Sequence, residues 1–131
     1  MIYGIGTDLI RIERFDDAIR RHGERFAARI LMPEELDAYG PRKHKARYLA
    51  MRFAGKEAVA KSLGTGFAHG IWVRDIGIVH NPLGKPDVIF SARGQNLCRR
   101  LGVGECHISL SDEAGIAMAY AVAMCAERLS P

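Results

Sequence analysis

Ile116-Ala117-Met118-Ala119-Tyr120-Ala121-Val122-Ala123-Met124-Cys125 is the stretch on which the fold turns. Bulky and small side chains alternate along it, the period of a β-strand with one large and one small face. Small residues let another surface approach closely. Upstream, His107 to Asp112 reads as a shorter strand, with His107, Ser109 and Ser111 on one side and Ile108 and Leu110 on the other. At the other end of the chain, Ile2 to Ile10 alternates in the same way. Ile2, Gly4, Gly6, Asp8 and Ile10 share one face there, and Tyr3, Ile5, Thr7 and Leu9 the other.

Between these strands the period changes. Ile12, Phe15 and Ile19 mark one side of a helix that Gly23 stops, and Phe26, Ile30 and Leu31 continue as a short apolar stretch. Pro33 opens a further short helix. Ala46 to Leu63 carries the strongest helical signal, with Gly64 placed for a left-handed cap. Trp72 to His80 and Asp87 to Phe90 read as two strands of a hairpin joined through the turn-rich Asn81-Pro82-Leu83-Gly84-Lys85-Pro86. Ser91 caps a helix that runs to Leu101 and stops at Gly102. Strands and helices mix without strict βαβ alternation, so the expected class is α+β: a mainly antiparallel sheet packed with helices, in one domain spanning residues 1–131.

Composition bounds the function. With 131 residues, 48% hydrophobic and 26% charged, the chain has the make-up of a soluble globular protein. No apolar run approaches the roughly 20 residues that cross a bilayer. The start lacks the pattern of a signal peptide. Three cysteines without metal-ligand spacing read as reduced thiols, so the expected compartment is the cytoplasm. The net charge of +4 is unevenly placed: from Arg42 to Lys61 seven basic residues meet one acid, Glu57, giving that segment +6. A second set of arginines (Arg11, Arg14, Arg20, Arg21, Arg25, Arg29) is diluted by acids. Basic surfaces attract phosphates and acidic partners, although a solvated charged face explains many such runs.

Three places offer chemistry. Asp8 shares a strand face with Gly4 and Gly6, and glycine within a strand often marks close approach of a ligand or another backbone. A carboxylate beside such a cleared space is placed to hold a cation; capping the next helix is the plainer role. Glu57 and Lys61 are four apart on the strongest helix and hence neighbours, as are Arg52 and Lys56. The helix ends in Lys61-Ser62-Leu63-Gly64-Thr65-Gly66, whose two glycines expose backbone beside a lysine, a setting that receives phosphate oxygens. An exposed Glu–Lys pair accounts for Glu57 and Lys61 equally well. His107 lies on a polar strand face, fit for a site residue or a structural one. No cysteine sits in a reactive context.

Taken together, these residues resemble one family. Ile5-Gly6-Thr7-Asp8 resembles its G-x-D opening, and Arg52 to Gly66 its R-F-x-x-K-E-A-x-x-K-x-x-G-x-G signature. Gly84-Lys85-Pro86 and His107-Ile108-Ser109-Leu110-Ser111 match two more landmarks in order. The chain is similar over nearly its whole length to the holo-(acyl-carrier-protein) synthases, short single-module 4′-phosphopantetheinyl transferases. One departure is Asp112, where many members carry histidine; it is assigned no role.

The resemblance implies transfer of the 4′-phosphopantetheine arm of coenzyme A to a serine of apo acyl carrier protein, with release of adenosine 3′,5′-bisphosphate. It implies Mg²⁺ held by Asp8 and Glu57, in keeping with a hard cation that takes one or two carboxylates. Lys61 would lie against the diphosphate and offset developing charge. Either Lys61 or a metal-bound water would take the serine proton. Arg52 and Lys56 would meet coenzyme A phosphates, with the run Arg42 to Arg47 at the 3′-phosphate. Gly64 and Gly66 would line the diphosphate path, with Pro86 and His107 nearer the nucleotide. Arg14, Arg21, Arg25 and Arg29 would dock the acidic carrier protein, Arg14, Arg21 and Arg25 on one face if the helix resumes in register past Gly23. The family's short members are homotrimers with sites between subunits, and the alanine face from Ala117 to Ala123 suits either subunit packing or a helix-covered core.

A rival reading is a basic oligomeric module that binds nucleic acid without catalysis. It explains neither Asp8 beside two glycines nor Glu57 inside the basic helix, since carboxylates repel phosphate unless a cation intervenes. The expectation is therefore an enzyme with no nucleic-acid and no membrane partner.

Overall fold

The structure, a computed structural model, describes residues 1–127. A three-stranded antiparallel sheet is built from β1 (Ile2–Arg11), β4 (Val103–Glu113) and β5 (Ile116–Cys125), in the order β1-β5-β4. β2 (Ile76–His80) and β3 (Pro86–Phe90) form a separate two-stranded hairpin. Among the described residues five α-helices accompany the sheets: α1 (Glu13–His22), α2 (Glu24–Ile30), α3 (Pro33–Tyr39), α4 (Lys45–Ser62) and α5 (Ala92–Leu101). The α+β class with a mainly antiparallel sheet is as the alternation patterns imply. Among the described residues no helix is long and apolar enough to cross a membrane.

The alternation in β5 decides the packing. Ala117, Ala119, Ala121 and Ala123 are all fully buried, facing α4. The register aligns Gly6 with Ala121 and Ile108, and Asp8 with Ala119 and Leu110. The sheet is thus floored with glycine and alanine where α4 crosses it and rises to branched side chains at β4. Gly4 and Gly6 serve the same end. A Cβ on Gly6 would overlap Ala58 O, with Lys61 Cβ and Ser62 N both at 2.8 Å, and one on Gly4 would overlap Ser62 O. The space those glycines clear is filled by the α4 backbone, not by a ligand. The alanine face is likewise a helix-covered core.

α4 is therefore a central helix, buried on nearly every side rather than along one stripe. One apolar cluster joins its Ala54, Ala58 and Val59 to β5, β2 and α5, and the other joins its Leu49, Ala50 and Met51 to α1, α2 and α3.

Three local expectations are adjusted. Trp72 to His80 is not one strand: Val73–Asp75 makes a 3₁₀ turn before β2 begins. Its cause is Asp75, whose carboxylate accepts from Trp72 N at 2.8 Å, Ser91 Oγ at 2.7 Å and Arg93 Nε at 2.9 Å. The helix also does not resume in register past Gly23, whose φ of 58° and ψ of −142° break α1 from α2. Phe26 to Leu31 lies largely in α2 rather than in a bare apolar stretch. The cap signals elsewhere hold: Ser91 Oγ accepts from Gly94 N at 3.1 Å, and Gly102 closes α5 in the left-handed region.

Candidate active site

Asp8 on β1 and Glu57 on α4 lie within electrostatic reach of each other across the β1–α4 contact that the glycines make close. Asp8 lies on the strand face turned toward the helix, and Glu57 is half-buried on the helix. Lys61, one turn beyond Glu57, donates to Thr7 O at 3.0 Å and Asp8 Oδ1 at 3.2 Å. Burial pushes the Glu57 carboxyl above its ordinary range, the negative charge of Asp8 pushes it further, and Lys61 partly opposes both. Two carboxylates near enough to repel, with one ammonium between them and the backbone, leave negative charge unmatched. That donor set of oxygens fits a hard divalent cation. Among the described residues no third His, Cys, Asp or Glu joins them. Gly64 (φ +82°) and Gly66 (φ +58°) follow the helix end with left-handed backbones, so no side chain covers the ledge there.

The N-terminal half of α4 borders a second feature. A cavity of about 710 Å³ is walled by Arg42, Arg47, Arg52, His80, Lys85 and Pro86, with no carboxylate in its lining. Arg52 is buried at its wall, its guanidinium 4.3 Å from the Tyr48 ring centroid. Arg47 is held by both oxygens of Asp112, Nε at 2.9 Å and Nη2 at 2.7 Å. The Asn81–Pro86 turn that carries Lys85 is shaped by Asn81 Oδ1, which accepts from Leu83 N at 2.9 Å and Lys85 N at 3.0 Å. Arg52 and Glu57 are five residues apart, so cavity and carboxylates are separated by about 7.5 Å along the helix axis.

Two expected residues lie elsewhere. Lys56 is not at a phosphate site: it is fully buried and its ammonium donates to Glu35 Oε1 and Ile76 O. Burial pulls its pKa down, and Glu35 works against that pull. Helical spacing placed Lys56 beside Arg52 but could not reveal that α3 supplies a buried carboxylate. His107 is on the outer face of the sheet, beside Glu105 at 3.6 Å and outside the cavity walls of a single chain. Sequence reasoning passed over Glu35 and His80 and gave no role to Asp112, the partner of Arg47; none of the three carries a spacing signal for its contact.

The remaining arginines form a surface. Arg14, Arg21, Arg25 and Arg29 are exposed on α1 and α2. Arg21, Arg25 and Arg29 share a hollow of about 260 Å³ with Phe26, although the helix breaks between the first two.

Comparison with known proteins identifies the family and the fold. A family model described as the 4′-phosphopantetheinyl transferase superfamily matches residues 4–125. The holo-(acyl-carrier-protein) synthase of Vibrio cholerae is 47% identical over 122 residues, 93% of this chain and 97% of that protein. The crystal structure of the Neisseria meningitidis holo-(acyl-carrier-protein) synthase superposes with a TM-score of 0.89 at 41% identity, covering 94% of this chain and 98% of that one. The Helicobacter pylori synthase, solved in complex with coenzyme A, superposes with a TM-score of 0.80 at 28% identity, covering 91% and 98%.

Proposed function

The chain belongs to the 4′-phosphopantetheinyl transferase superfamily, and from that premise we propose that it moves the 4′-phosphopantetheine arm of coenzyme A onto a serine of apo acyl carrier protein. The observation that carries this reading is one helix, α4, that borders a carboxylate pair at one end and a basic cavity at the other. A long anionic cofactor with a diphosphate in its middle and a phosphorylated nucleotide at its end suits that layout.

In this reading the serine Oγ forms a bond to the phosphorus beside the pantetheine arm. The bond from that phosphorus to the bridging oxygen breaks, adenosine 3′,5′-bisphosphate leaves, and the serine proton passes to water. Phosphoryl transfer is catalysed mainly by positioning and charge neutralisation. Asp8 and Glu57 would hold Mg²⁺, which when bound neutralises charge on the diphosphate. Lys61, aimed by Thr7 O and Asp8, offsets charge on the leaving oxygens. Gly64 and Gly66 let the diphosphate and pantetheine pass close to the backbone. Arg42, Arg47, Arg52, Lys85 and Pro86 take the nucleotide end. Arg14, Arg21, Arg25 and Arg29 receive the acidic carrier.

The chain acts as a homotrimer in this proposal. Its support is the outer sheet face, where Ile5 is 57%, Leu9 67%, Ile116 41% and Tyr120 41% exposed. An apolar sheet face of this kind marks an interaction site. His107 stands on that same face, where a neighbouring subunit would bring it to a shared site. The test is mass-spectrometric detection of the pantetheinylated carrier serine with purified protein, coenzyme A and Mg²⁺. No mass gain on any apo carrier would refute the assignment.

A further inference from the structure

Arg52 is fixed from three directions. Its guanidinium lies over Tyr48, its Nε stands 4.0 Å from Glu35 Oε2, and its Nη2 meets His80 Nδ1 at 2.8 Å. An arginine only donates, so the His80 Nδ1 must accept. The imidazole proton is then on Nε2. A doubly protonated ring would set N–H against N–H at this contact. Burial lowers the His80 pKa, Arg52 and Arg42 lower it further, and Asp87 alone opposes them. His80 therefore stands in the cavity wall as a neutral ring whose remaining donor is Nε2–H, and Arg42, Arg47, Arg52 and Lys85 line the same cavity.

The four cations alone attract any anion. A neutral, directional donor adds orientation, because it is satisfied only by an acceptor oxygen at one place. It adds this without another positive charge in a cavity already crowded with them. We propose that His80 is a specificity-determining residue of this cavity: held by Arg52 as the Nε2–H tautomer, it donates to a terminal phosphate monoester seated among the arginines. His80 thereby favours coenzyme A over the analogue that lacks the 3′-phosphate. The inference rests on the reading that the cavity takes the nucleotide end of coenzyme A.

Calorimetric titration of the intact protein with coenzyme A and with 3′-dephospho-coenzyme A tests it, using wild type, His80→Phe and His80→Gln. His80→Phe is expected to raise the Kd for coenzyme A at least about tenfold and leave that for dephospho-coenzyme A unchanged, since a hydrogen bond to a charged group is at stake. His80→Gln keeps a donor and stays within about threefold of wild type. The ¹⁵N spectrum of the free protein should show His80 protonated at Nε2 alone. Equal weakening of both ligands in His80→Phe, an unchanged preference, or a Nδ1–H tautomer would overturn the role of His80 while leaving the cavity reading in place. Equal affinity of the wild type for the two ligands would overturn the cavity reading and the proposal with it.

Discussion

In the proposed mechanism Glu57 pits function against stability within one side chain. Burial and Asp8 raise its pKa above the ordinary 4.5, so the folded chain binds that proton more tightly than the unfolded one. Stability therefore falls as pH rises from 4.5 through the raised value, and the cost persists at neutral pH. Glu57→Gln should give a higher Tm than wild type at pH 7 without divalent cations, the gap closing below pH 4.5, as read by calorimetry. The same variant, like Asp8→Ala, should lower carrier pantetheinylation by about 100-fold or more. Full activity in either would remove that carboxylate from the mechanism. Lys56 shows the opposite case, a charge retained for architecture. Lys56→Met leaves Glu35 buried with the Met32 and Ile78 amides as donors and the Arg52 guanidinium, 4.0 Å away, as its remaining cation. It should cost about 3–5 kcal/mol in denaturant unfolding. Adding Glu35→Gln, which removes the under-compensated buried charge but keeps an acceptor, should recover part of that loss.

At the level of elements, the closeness of β1 and α4 is what would position the proposed chemistry. Gly6→Ala would press a methyl group into Ala58 O. Such overpacking should cost about 1–3 kcal/mol and lower the Tm. Because the proposed carboxylate pair, Asp8 and Glu57, spans the same β1–α4 contact, transfer should fall further than stability at temperatures where the variant is folded. The break at Gly23 matters in a different way. It turns a would-be continuous helix into two short ones that present Arg21, Arg25 and Arg29 around one hollow. Arg14→Glu with Arg21→Glu should raise the carrier KM at least about tenfold and leave the coenzyme A KM nearly unchanged. Equal changes in both would refute docking at α1.

Across the whole molecule, the sheet has two unlike faces. The alanine side is consumed by α4, and the bulky side, with Leu9 and Tyr120, is open in a single chain. If this face joins subunits in the proposed homotrimer, Leu9→Asp with Tyr120→Glu should leave a monomer in sedimentation velocity where wild type sediments as a trimer. It should also lower transfer, because the neighbour's part of each site would be lost. A double variant that sediments like wild type would show that this face is not the interface.

Period-two alternation in β1 and β5, the length of α4 and the Ser91 and Gly102 caps were readable from the chain, because each depends on side chains a few residues apart. The Asp75 turn was hidden, since its partners Ser91 and Arg93 are distant in sequence. Asp8, Glu57 and Lys61 stood out by glycine neighbours and helical spacing; Glu35 and His80 did not. By itself, then, the sequence determined which faces are small, where helices start and stop, and which acids and bases are present. Only the tertiary structure decided what occupies each face. It put the α4 backbone over the glycines, buried Lys56 against Glu35, and set His80 against Arg52. The physical reason is that burial and charge pairing are properties of neighbours in space. Chain separations of 21 residues for Lys56–Glu35 and 28 for Arg52–His80 leave no local trace of them.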